Sequence, residues 1–290
     1  MKLLPLIILF IGAAVTHAAE VWAPGVSRAD GWVDYNKDNP DKNYMDDDGM
    51  CWAASASNVI TWWQNQNAEA LTSTSLPSQN AWDLFRLVYM NVGGYPSSAL
   101  DWWINGITVP TDSYGYPIYP GTMDMEALDD KQLGISDLFT GGFLTSSVYS
   151  TAENPLLIAN GNNNSYTFCK AMVDAMTSGY ALSISASGHA FTLWGLDYKE
   201  SANGIIINKA WLTDSDDYQT KLVETTLFTI KSSTDGNAIA FTLDYYPGSS
   251  FVIETVAGMR SAPANLIPEP STATLSLLAL TTLLHRRRRR

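Results

Sequence analysis

Six runs of strand-forming residues crowd the chain between Ala181 and Val256, and they constrain its fold more than any other feature. Ala181–Ser185, His189–Leu196, Gly204–Thr213, Val223–Ile230, Ala238–Asp244 and Phe251–Val256 are rich in β-branched and aromatic residues. Polar turns such as Ser201-Ala202-Asn203-Gly204 separate them. A lone strand leaves its backbone donors and acceptors unpaired, so runs this close together must form a sheet with one another.

The helical signal lies mostly upstream. Trp52, Ala56, Val59, Ile60 and Trp63 recur at helical spacing, which predicts a helix from Cys51 to Gln66 with that stripe buried. A second helix is predicted over Asn80 to Val92, with Trp82, Phe85 and Tyr89 on one side, and a third over Thr167 to Thr177, ended by Gly179. Asp34 to Gly49, crowded with Asp, Asn and Pro, reads as loop, and the stretch from Asp101 to Asn164 gives no clear assignment. Helices followed by strands predict an α+β class, with a helical N-terminal half and an antiparallel sheet in the C-terminal half.

Both ends read as addresses. Met1 to Ala18 carries Lys2, an apolar run from Leu3 to Val15, and Thr16-His17-Ala18, a secretory signal pattern. The other end, Pro268-Glu269-Pro270 followed by the apolar Leu275 to Leu284 and Arg286 to Arg290, resembles the PEP-CTERM sorting tail of exported Gram-negative proteins. As a helix, Ser271 to His285 is about 22 Å long, short of the ~30 Å hydrocarbon core, which suits transient membrane contact better than a permanent anchor. The expected division is a signal peptide at 1–18, one folded domain at 19–265 and a sorting segment at 266–290. Export to the cell surface or outer envelope follows from it.

Charge narrows the partners. The whole chain has 17 basic and 29 acidic residues, and removing both ends takes away six cations but one acid, leaving about −17. Such a core presents no basic face for nucleic acid.

The chemistry starts from scarcity. Of three histidines, His17 and His285 lie in the end segments, so His189 is the one imidazole available to the core. Cys51 opens a predicted helix, where the positive end of the macrodipole favours a thiolate, whereas Cys169 lies within an apolar stripe and reads as an inert core residue. A Cys51–Cys169 disulfide is the competing reading for an exported chain. Asp214 and Asp216 close the strand that follows the one beginning at His189. Antiparallel pairing of those two strands would bring one of these carboxylates to the imidazole ring.

With those residues in view, a resemblance emerges. Val21-Trp22-Ala23-Pro24-Gly25-Val26, Gly31-Trp32-Val33-Asp34-Tyr35-Asn36-Lys37, Cys51-Trp52-Ala53-Ala54-Ser55-Ala56-Ser57-Asn58, Gly188-His189-Ala190-Phe191-Thr192-Leu193-Trp194-Gly195 and Thr213-Asp214-Ser215-Asp216 follow the order found in the IdeS/Mac cysteine endopeptidases. These are immunoglobulin-degrading enzymes of papain-like fold. The resemblance implies a papain-like fold, Cys51 as nucleophile, His189 as base then acid, Asp214 orienting His189, Asp216 as a supporting carboxylate and Lys37 at the oxyanion hole. Trp52 departs from the small residue usual after the family's nucleophile, and could reshape the cleft beside the thiol.

The expectation is therefore an exported cysteine endopeptidase with no metal or organic cofactor. It would act on extracellular proteins, immunoglobulins among the candidates, and its partners would include the export and sorting machinery. A non-catalytic surface binding module on the same fold is the alternative.

Overall fold

The computed structural model describes residues 18–37, 47–67, 81–89, 93–105, 156–160, 165–201, 204–232 and 236–261. In chain order the elements are β1 (Ala18–Trp22), α1 (Cys51–Gln66), α2 (Ala81–Tyr89), α3 (Pro96–Asn105), β2 (Leu156–Asn160), α4 (Ser165–Thr177), β3 (Tyr180–Ala186), β4 (His189–Ser201), β5 (Gly204–Asp214), β6 (Val223–Ser232), β7 (Gly236–Phe241) and β8 (Phe251–Arg260). The sorting segment at 266–290 and all but the last residue of the signal segment lie outside the described residues. Among the described residues no helix is long and apolar enough to cross a membrane.

The strands close on themselves. β4 pairs with β3 and β5, β5 with β6, β6 with β7, β7 with β8, and β8 returns to β3, every pairing antiparallel. The result is a six-stranded barrel, with β1 added beside the second half of β4 and β2 beside β8.

This corrects the expected fold class. The α+β papain-like fold with a helical N-terminal half is not what the chain forms: a closed antiparallel barrel dominates, and the helices are few. The reason is physical. Runs read one at a time show strand character but not partners, and closure rests on non-local pairs such as Tyr180 with Arg260 and Leu182 with Gly258. The N-terminal half contributes a strand too, since β1 joins β4.

Antiparallel order gathers three turns at one end of the barrel. The ends of β3, β5 and β7 and the starts of β4, β6 and β8 all lie there, so His189 and Asp214 emerge side by side. Ser187 (φ 50°) and Gly188 (φ 80°) make the two-residue β3–β4 turn, with both residues left-handed, as a tight hairpin with natural strand twist requires. Phe191, Phe241 and Phe251 fill this end, their ring centroids 5.1–5.4 Å apart.

Helix α1 lies on the opposite face of β4. It is buried almost all round, from Trp52 to Trp63, as a helix sandwiched between a sheet and other helices must be. A polar network fixes it there. Ser55 Oγ donates to the Phe191 carbonyl (2.7 Å) and meets Ser183 Oγ (2.5 Å), while Asn58 Nδ2 donates to Thr192 Oγ1 (2.9 Å) and Thr213 Oγ1 (3.3 Å). Asn58 Oδ1 in turn accepts the Tyr35 N–H at 2.7 Å. Buried polar groups satisfied in this way resist sliding, because any shift would strand several of them without partners.

Candidate active site

The residues that sequence reasoning singled out come together at the barrel end where the three turns gather. Cys51 occupies the first position of α1, one turn ahead of the Ser55 network, with no side chain capping the helix. His189 opens β4. Its Nε2 lies 2.7 Å from Asp214 Oδ1, and the Cys51 thiol is within hydrogen-bonding reach of the same ring. With Nε2 engaged by Asp214, Nδ1 is the nitrogen left to the thiol. Both cysteines are free, so the disulfide reading falls; Cys169 is buried, as its place in an apolar stripe suggested.

Asp214 is 1% exposed and fully engaged. Oδ1 accepts from His189 and from the Asp216 N–H (3.0 Å), and Oδ2 accepts from the Tyr245 hydroxyl (2.8 Å). Asp216 stands on the other side of the ring, its Oδ2 3.8 Å from His189 Nδ1, and takes the Tyr246 hydroxyl at 3.4 Å.

Lys37 is buried and tied down at three points. Its ammonium lies 2.6 Å from Asp216 Oδ1 and donates to the Asp48 carbonyl, while its backbone N–H donates to the Ser215 carbonyl at 2.9 Å. It thus straps the β5–β6 turn to the turn that leads into Cys51. Asp47, buried in that turn, faces Arg86 of α2 at 3.4 Å, which ties the turn to a second helix.

The electrostatics of the imidazole are a contest. Burial, which includes edge-on packing against Phe191 at 4.6 Å, pulls the His189 pKa down. Hydrogen bonds and charge from Asp214 and Cys51 outweigh it and push the value up to about 10, so the ring is an imidazolium at neutral pH. Burial first, then the charge of Asp214, raises Tyr245 and Tyr246 above the ordinary phenol range, so both remain donors. Burial also lifts Asp34, despite the Lys221 N–H it accepts; with repulsion from Asp217 and Asp214 it reaches about 7.

His189, Asp214 and Asp216 place three metal-ligand-type atoms within 4.8 Å of one another, the one such grouping among the described residues. Hydrogen bonding accounts for it, since His189 and Asp214 hold each other and Asp216 is paired with Lys37.

Trp52 does not line the cleft. It is 4% exposed, packs edge-on against Phe85 at 5.7 Å and lies so close to Gly94 that a Cβ there would come within 2.8 Å of its ring. Sequence reasoning missed Tyr245, Tyr246, Ser55 and Asn58 as parts of the site's frame. Two tyrosines after a strand carry no local signal of a carboxylate partner.

A helix-borne thiol, an imidazolium and a buried carboxylate thus stand in series at one end of the barrel. The family model described as Mac 1 matches residues 16–76, about a fifth of the chain; that stretch holds β1, Lys37 and Cys51 and ends before His189. No curated protein matches the chain.

Proposed function

We propose that the protein is an exported cysteine endopeptidase that hydrolyses peptide bonds of extracellular proteins. The observation that carries this reading is the series itself: a thiol in hydrogen-bonding reach of an imidazole whose far nitrogen is held by a buried carboxylate. The Mac 1 match over the Cys51 helix supports it, and immunoglobulins are the first substrates to try.

In this mechanism the Cys51 thiolate attacks the scissile carbonyl carbon and the carbonyl π electrons move onto oxygen. The Lys37 ammonium and the Cys51 backbone N–H stabilise that oxyanion. Collapse of the intermediate breaks the C–N bond, and His189 Nδ1–H protonates the departing amine. The neutral ring then takes a proton from water, which attacks the thioester, and Cys51 leaves as thiolate beside the restored imidazolium. Asp214 keeps Nε2–H in place throughout and balances the positive ring.

Incubating the protein with a panel of extracellular proteins including immunoglobulins and mucins, followed by mass spectrometry of the fragments, tests the proposal. Cleavage that disappears in Cys51→Ala is the expected result. If no substrate is cut and Cys51 reacts with iodoacetamide no faster than a free thiol, the site is a binding surface and the peptidase reading fails.

A further inference from the structure

The turn between β7 and β8 carries two consecutive tyrosines, and each donates to a different carboxylate of the site. Tyr245 reaches Asp214 Oδ2 at 2.8 Å and Tyr246 reaches Asp216 Oδ2 at 3.4 Å. Their rings are 5.0 Å apart, and the Tyr246 ring also meets His189 edge-on at 6.4 Å. One short turn therefore touches every anionic member of the β5–β6 turn that faces the imidazole.

We infer that Tyr245 and Tyr246 are positioning residues of this site, Tyr245 holding Asp214 with Oδ1 turned to His189, and Tyr246 holding Asp216 between Lys37 and Nδ1. The inference rests on the proposal that Cys51 and His189 form the reactive pair. Asp214 is 1% exposed, so water cannot replace a lost donor. Oδ1 already serves two N–H groups, and the phenol is what satisfies Oδ2. Without it the carboxylate has one bare oxygen in a dry setting, and nothing holds Oδ1 turned to the ring.

The surrounding charges push the same way. Asp34 from the N-terminal loop and Asp217 from the β5–β6 turn both repel a negative Asp214, while His189 from β4 is the cation that favours it. Asp216 is neutralised by Lys37. An Asp214 turned from the ring no longer balances the imidazolium, so losing the Tyr245 hydroxyl should carry the acid limit of thiol reactivity to higher pH.

The test is Tyr245→Phe in the full chain, which keeps the ring and its contact with the Lys221 ammonium at 4.9 Å. The first readout is the pH dependence of Cys51 alkylation by iodoacetamide, followed on the Cys51 peptide so that Cys169 does not contribute. The second is the His189 ring titration by NMR, its signal identified by its loss in His189→Ala. The acid limb should move up by about one pH unit, and kcat for proteolysis should fall roughly tenfold with KM little changed. Tyr246→Phe should move the limb in the same direction by less, and it supplies a second test should Tyr245→Phe not fold. In an Asp214→Asn background, Tyr245→Phe should add nothing to the limb.

Unmoved limbs and an unmoved His189 titration in both single variants would overturn the inference, as would a full Tyr245→Phe shift in the Asp214→Asn background. A moved limb in a protein that cleaves nothing would leave the positioning role standing and remove the peptidase reading instead.

Discussion

Replacing Asp214 with asparagine should change how stability depends on pH, and the structure sets the window. His189 rises from its ordinary 6.5 to about 10 because Asp214 and Cys51 outweigh the effect of burial. A histidine whose folded value lies above its unfolded one contributes stability that is present in full below about pH 6.5 and is lost as pH rises toward 10. At ~1.4 kcal/mol per unit, the whole shift corresponds to about 4–5 kcal/mol, an upper limit for a coupled site. Asp214 shares that pull with Cys51, so its part is about 2 kcal/mol. Urea denaturation from about pH 6 to pH 10 measures it. The native protein should lose stability across the window. Asp214→Asn should begin lower and lose about 2 kcal/mol less, so that the two curves draw together toward pH 10. A constant offset reflects only altered hydrogen bonding to Tyr245 and the Asp216 N–H. Parallel curves from pH 6.5 to 10 would refute the claim that Asp214 holds the imidazolium.

The proposed mechanism makes Lys37 an oxyanion donor, which acts in the transition state, so Lys37→Met should lower kcat by roughly 10²-fold with a smaller change in KM; steady-state kinetics on a cleaved protein would show it, and a change confined to KM would reassign Lys37 to substrate binding. Cys169→Ala should keep full turnover per folded molecule and cost about 1–2 kcal/mol in urea melts, because its thiol is buried in α4 beside Ile205 and Ile207, at the opposite end of β5 from Asp214. Asp34→Asn should stabilise the protein above pH 7: the native carboxyl, raised by burial to about 7, contributes most below pH 4 and loses that contribution as pH climbs through 7. Thermal melts at pH 5 and pH 8 should show the larger gain at the higher value. Asn58→Ala should cost about 2–3 kcal/mol and slow Cys51 alkylation, since three partners of α1 on β4, β5 and the N-terminal loop are lost together.

The chain announced its local elements well. The helix predicted over Cys51 to Gln66 has those bounds, and each of the six strand runs became a strand of the barrel. The strand preference that placed Asp214 beside His189 also held, with Phe191 opposite Asp214 in the register of β4 and β5. Local readings succeeded because hydrophobic period and turn residues act over a few positions. They failed at β2 and the second half of α3, which fall in the stretch without a clear pattern, and at the architecture, where an expected helical half and antiparallel sheet gave way to a closed barrel.

What the sequence determined by itself was the inventory: one core imidazole, a thiol opening a helix, two aspartates at a strand end, and the residues that resemble a known family. Tertiary structure alone decided which atoms meet. The return of β8 to β3 closes the barrel and sets the β7–β8 turn beside the β5–β6 turn, and only then can Tyr245 donate to Asp214, 31 residues earlier in the chain. Contacts of that span depend on the whole set of strand pairings, because a barrel's register is satisfied collectively and no single segment encodes it.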